Sequence, residues 1–153
     1  MIKYITIFIV LLITKFIHSQ HNFGISRAQL VNEIGVPDSI EGTSNEIYEY
    51  QIADYKTLDY TVKRYFFNDY DELKEVLILY IYNDCSQAKR KLNQLLSLAN
   101  NKYSKSAMMS GNNKMMFVNP NSPKKEGKTI VLQPRKLGSS CFAEERDFST
   151  TYF

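Results

Sequence analysis

The sequence predicts an α+β domain in which helix packs on an antiparallel sheet. Three observations carry that expectation. Two segments place apolar residues at three- and four-residue steps, Ala28, Leu30, Val31 and Ile34 in one and Ala88, Leu92, Leu95, Leu96, Ala99 and Tyr103 in the other, the spacing of an amphipathic helix. Each is followed by runs in which apolar and polar residues alternate, the period of a half-buried strand. Eleven Tyr and nine Phe supply the bulky side chains that such strands favour. With 153 residues, 44% of them hydrophobic and 23% charged, the chain suits one domain and excludes a disordered, collagenous or disulfide-dense scaffold. The order of elements suggests two successive units, each a helix followed by three strands, without a residue-level repeat between them.

Residues 1–19 read as a signal peptide. Met1 to Lys3 is a short positive start, Ile5 to Ile13 an apolar run broken only by Thr6, and Ser19 a small residue at the cleavage position. Cleavage there leaves Gln20 or His21 at the new N-terminus, and residues 20–153 form the expected single domain. Lys15 interrupts the run, and no stretch reaches the roughly 20 apolar residues that a membrane span needs. The expected product is exported, periplasmic or secreted, with no transmembrane span.

The first unit covers about residues 24–82. Ser26 and Gln29 make a Ser-x-x-Gln capping box, Gly35 follows Ile34 as a left-handed cap, and Pro37 cannot continue the helix. Tyr48, Tyr50 and Ile52 alternate with Glu49 and Gln51, and Leu58, Tyr60, Val62 and Phe66 with Asp59, Thr61 and Lys63, which predicts two half-buried strands. Asn68-Asp69-Tyr70-Asp71 is a polar turn. Leu73 to Tyr82 is apolar on both faces, as a central strand with helix over one side should be.

The second unit covers about residues 84–150. Asp84 or Ser86 caps its helix. Strand-like runs follow at Lys114 to Val118, Lys128 to Gln133 and Cys141 to Phe148. In an oxidising compartment Cys85 and Cys141 are expected to pair, closing a long loop worth about 4 kcal/mol by the chain-entropy model. Two free thiols are the alternative, and without Cys-x-x-Cys spacing a zinc site lacks ligands.

One stretch resembles a family. Gly24-Ile25-Ser26-Arg27-Ala28-Gln29-Leu30, then Ile34-Gly35-Val36-Pro37, is similar to the Gly-Met-Thr-x-x-Gln-Val…Leu-Gly-x-Pro signature of the BamE (SmpA/OmlA) family of bacterial envelope proteins. That family continues with a Tyr-rich strand, a strand ending Phe-Asn-x-x-Gly and a third strand. Here Ile47-Tyr48-Glu49-Tyr50, Phe67-Asn68-Asp69-Tyr70-Asp71 and Leu73 onward stand in those places, with Asp71 where the family has Gly and no Cys to carry a lipid. The resemblance covers residues 24–82. It implies a small α+β sandwich, also similar to secreted β-lactamase-inhibitor proteins, and a function in binding proteins. It carries over no catalytic residue, and Gly24, Ser26, Gln29, Gly35 and Pro37 read as its structural motif.

Charge is unevenly spread. Residues 41–84 hold ten acidic and four basic groups, whereas residues 85–136 hold eleven basic and one acidic. Lys89, Arg90, Lys91, Lys124, Lys125, Lys128, Arg135 and Lys136 form either a solvated face or a patch for an acidic protein or an anionic envelope polymer. The formal charge of +3 is too small to imply nucleic acid. A Ser-His or Cys-His nucleophile is unsupported, since after processing only His21 remains, at the chain end. Glu144 and Glu145 are adjacent in a strand and point to opposite faces, so a role as salt-bridged surface is expected rather than a glycosidase pair. Asp69, Asp71 and Glu72 lack the glycine of a calcium loop, and Met108, Met109, Met115 and Met116 suit packing better than Cu(I), so neither metal nor cofactor is expected.

The expected function is therefore a non-enzymatic, exported protein-binding module of the cell envelope. Its contact is expected on the sheet, through whichever of Tyr48, Tyr50, Tyr60 and Tyr65 core packing, which explains most of them, leaves free, or else through the basic residues Lys124, Lys125 and Lys128. Two rivals remain. A secreted hydrolase would need a deep cleft lined by two buried acids, and a structural envelope component would show a uniformly charged surface.

Overall fold

Ser26 opens the first helix, α1 (Arg27–Ile34), with a reciprocal cap: its Oγ accepts from the Gln29 amide at 3.2 Å, and Gln29 Oε1 accepts from the Ser26 amide at 2.8 Å. Gly35 stops the helix at φ 97° and ψ −176°, its N–H donating to the Val31 carbonyl at 2.9 Å. The stop has the positive φ of the expected cap but an extended ψ, so it is not the left-handed form. The chain has to leave straight toward the sheet: Pro37 favours extended backbone before it, and the Asp38 amide already donates to the Glu49 carbonyl at 2.9 Å. The computed structural model describes residues 21–44, 46–54, 59–103, 107–109, 113–119 and 126–149. The segment expected as a signal peptide, residues 1–19, and the basic residues Lys124 and Lys125 lie outside the described residues.

After α1 come β1 (Ser39–Glu41), β2 (Ile47–Asp54), β3 (Asp59–Phe67) and β4 (Leu73–Tyr82), then α2 (Cys85–Lys102), then β5 (Ala107–Met109), β6 (Lys114–Val118), β7 (Glu126–Val131), β8 (Arg135–Leu137) and β9 (Ser140–Ser149). Among the described residues, all nine strands join one antiparallel sheet in the order β1-β2-β3-β4-β9-β7-β6-β5, with β8 pairing the start of β9. The class is α+β, though richer in sheet than the sequence suggests. The two helix-plus-three-strand units need correcting: among the described residues four strands follow α1 and five follow α2. The additions, β1, β5 and β8, are three residues each, too short for alternation to be seen.

Strand β4 is central, as expected, and from Glu75 to Tyr82 it pairs with β9: Ile78 faces Glu145, Tyr80 faces Ala143 and Tyr82 faces Cys141. Residues paired directly across an antiparallel ladder share a face. Tyr48, Tyr50, Tyr65, Val76, Ile78, Tyr80, Ala143, Ile130 and Phe117 therefore all point the same way, and both helices pack on that side. One core cluster joins Phe23, Ile25 and Leu30 to the tyrosine side of the sheet; the other joins Leu92, Leu95, Ala99 and Tyr103 to Phe117 and Ile130, and Tyr80 packs against both. Asp84 caps α2, accepting from the Ser86 amide at 2.9 Å. A disulfide joins Cys85 to Cys141, Cα to Cα 5.0 Å, and ties the start of α2 to β9.

Candidate functional site

Beneath α2 lies a cavity of about 280 Å³. Its apolar wall is Phe23, Leu95, Ala99 and Tyr103, and its polar wall comes from alternate residues of two neighbouring strands. Register explains the polar wall. Lys128 of β7 stands directly opposite Asp147 of β9, Glu145 lies two residues away on the same face, and Tyr80 of β4 is diagonal to Glu145. Tyr80 donates its hydroxyl proton to Glu145 Oε1 at 2.6 Å. The Lys128 ammonium pairs with Glu145 and, at 2.9 Å, with Asp147.

Burial decides how these groups ionise. It pushes the Tyr80 hydroxyl far up, and the Glu145 carboxylate that accepts its proton adds to the shift. Burial works against the Lys128 charge as well, but Asp147 and Glu145 together outweigh it and hold the ammonium above its ordinary value. Burial, with Lys63 and Lys128 nearby, lowers His21 from 6.5 to about 4. His21 is thus neutral at pH 7, and its Nε2, 3.4 Å from Asp147 Oδ2, is a close contact rather than a salt bridge. That nitrogen is buried without a hydrogen-bond partner. Lys91 lies over the Tyr80 ring, 4.1 Å from its centroid, and Lys102 over the Tyr103 ring at 5.3 Å.

The other face of the sheet has no described element over it. Its charges pair across strands: Arg64 Nε lies 2.6 Å from Glu49 and its Nη2 3.8 Å from Glu41, Arg146 lies 2.6 Å from Glu75, and Arg135 3.3 Å from Glu144. The long side chains shelter Val62 and Ile81, which are buried although no helix covers them. Leu77, Leu79, Phe142 and Phe148 stand half-buried among them.

The sequence-derived site residues scatter over these two faces. Tyr50 and Tyr65 are buried and Tyr48 partly so, all in the core under α1. Core packing accounts for these three, as expected of most of the tyrosines, and their alternative reading as an exposed binding face is corrected: Tyr48 and Tyr50, two apart on β2, and Tyr65, opposite Tyr48, share the helix-covered side. Tyr60, 41% exposed, is set on the uncovered face. Lys128 is likewise not part of an open basic patch, because β7 turns it inward onto two carboxylates. Glu144 and Glu145 do point to opposite faces, but at 7% and 4% exposure they are buried ion-pair partners, not surface. Gly24, Ser26, Gln29, Gly35 and Pro37 shape α1 and its entry and exit. Sequence reasoning missed the convergence of Tyr80, Lys128, Glu145 and Asp147; the one local sign was Cys141, Ala143, Glu145 and Asp147 at alternate positions.

Among the described residues, no group of three or more His, Cys, Asp or Glu is placed to hold a metal ion, and no helix is long and apolar enough to cross a membrane. No family model, curated protein or solved structure matches this chain.

Proposed function

We propose that the chain is an exported, non-enzymatic protein-binding module of the bacterial cell envelope, meeting its partner through the uncovered face of the sheet. One observation carries this reading: both described helices pack on one side, and the opposite side presents Tyr60, Leu77, Leu79 and Phe142 among the ion pairs Arg64–Glu49, Arg135–Glu144 and Arg146–Glu75. Such a face has little to offer a polyanion, whereas apolar side chains set in satisfied polar ones are what a protein interface desolvates.

Two further points support it. A disulfide suits an oxidising compartment. Asp71 takes φ 62° where the BamE pattern has Gly, so the backbone there has the form that a glycine favours. The hydrolase reading has the buried acids Glu145 and Asp147 in its favour. Lys128 pairs with both and occupies the space a scissile bond would need.

The test is site-specific photocrosslinking in the producing cell. A photoreactive residue at Tyr60 or Leu79 should yield one discrete cross-linked protein, and the same probe at exposed Gln94 of α2 should not. Cross-links from Gln94 alone, or turnover of a glycoside or peptide that Glu145→Gln abolishes, would overturn the reading.

A further inference from the structure

Buried polar atoms nearly always have partners, so an exception asks for an explanation. His21 Nε2 is one: its side chain is 8% exposed, it lines the cavity under α2, and it has no hydrogen-bond partner. Beside it lies Asp147 Oδ2, at 3.4 Å. A neutral ring presents either an N–H or a lone pair at Nε2, and in neither form does the protein meet it, so the spot lacks a polar atom that a ligand would bring.

The charges of the lining say more. Lys91, Lys102 and Lys128 stand against Glu126, Glu145 and Asp147. Lys128 serves both Glu145 and Asp147, which leaves that group of three with one negative charge in excess. Among the described residues Lys102 makes no ion pair and rests only on the Tyr103 ring, yet its charge is felt at both His21 and Asp147. The cavity therefore holds an under-served anion close to an under-served cation. The same lining has an apolar wall of Phe23, Leu95 and Ala99.

We propose that this cavity binds a small zwitterion of the α-amino acid type with an apolar side chain. The ligand's ammonium donates to Asp147 beside His21 Nε2, its carboxylate accepts from Lys102, and its side chain lies against Phe23, Leu95 and Ala99. A zwitterion leaves the lining's charge balance unchanged, which neither a simple anion nor a simple cation does. At about 280 Å³ the space is at the small end of ligand pockets. The site lies on the opposite side of the sheet from the proposed protein contact, so each can fail without the other.

The experiment is an NMR titration of the protein with L-leucine, with 4-methylpentanoate and 3-methylbutylamine as the same body lacking one charge. Leucine should shift the His21 ring signals saturably, and each truncated analogue should bind at least about tenfold more weakly, the effect of one charge-assisted hydrogen bond. Lys102→Met, at an exposed position that packing does not depend on, should weaken leucine about tenfold and leave 3-methylbutylamine unchanged. Asp147→Asn should do the reverse with 4-methylpentanoate, its fold checked by thermal melt. Either analogue binding as tightly as leucine, no response to a panel of apolar amino acids, or leucine binding untouched by Lys102→Met would overturn the proposal.

Discussion

His21 shows how one residue makes the whole chain sensitive to acid. Its folded-state value is about 4 against 6.5 for an ordinary histidine, so between those values the unfolded chain takes up a proton that the native one refuses. Stability should therefore fall as pH drops from about 6.5 to 4, by about 3 kcal/mol, and level off below. Urea melts across that range check it, and His21→Phe should flatten this part of the profile. At the helix ends, Ser26→Ala removes a cap acceptor and should cost about 1 kcal/mol. Gly35→Val should cost more, about 1–3 kcal/mol, because φ 97° with ψ −176° is a region essentially reserved for glycine. The strain there is of the backbone alone, since a Cβ at Gly35 would meet nothing within 4 Å.

Among the elements, β7 and β9 are the pair on which the site depends. Gly127 faces Phe148 across the ladder, and a Cβ at Gly127 would run into the Phe148 ring and stand 2.8 Å from the Phe117 carbonyl oxygen. Gly127→Val should thus destabilise by about 2 kcal/mol or more, readable in denaturant melts, by forcing the ring and a strand backbone apart. Lys128→Glu should be worse, since it sets a third carboxylate beside Glu145 and Asp147 and removes the cation that compensates them. The element pattern also marks what sequence could tell. The cap of α1, the alternation of β2 and β3 and the heptad-like face of α2 were legible because each is carried by neighbours in the chain. The ion pairs of the cavity were not, because Lys128 meets Asp147 only once β7 and β9 adopt their register, and nothing local encodes it. The same holds for the tyrosines: alternation put Tyr48 and Tyr50 on one face, but Tyr65 is out of step with Tyr60, Val62 and Phe66, and it joins Tyr48 only through the register of β2 with β3.

For the whole molecule, the disulfide and the uncovered face make separate predictions. Reducing Cys85–Cys141 should lower the melting temperature and leave the secondary structure formed, because the bond ties α2 to a sheet that is otherwise complete. If the sheet face is the contact, partner affinity should change little with salt, and Tyr60→Ala should raise the off-rate, measured by surface binding at two ionic strengths. A steep salt slope would point instead to the basic residues Lys124 and Lys125. The seam between β4 and β9 has one more consequence, for the speed of folding. The strands before and after α2 can each zip up from their own turns, but Tyr80 must find Glu145 across 65 residues of chain, and Glu75 must find Arg146 across 71. Joining the two halves is therefore the slow search, with most of the loop-closure entropy still to be overcome. Cys85 lies just past the end of β4 and Cys141 faces Tyr82 at that same end. A chain oxidised before it folds begins with the seam already pinned at one end, so it should refold markedly faster than the reduced chain while unfolding at a similar rate.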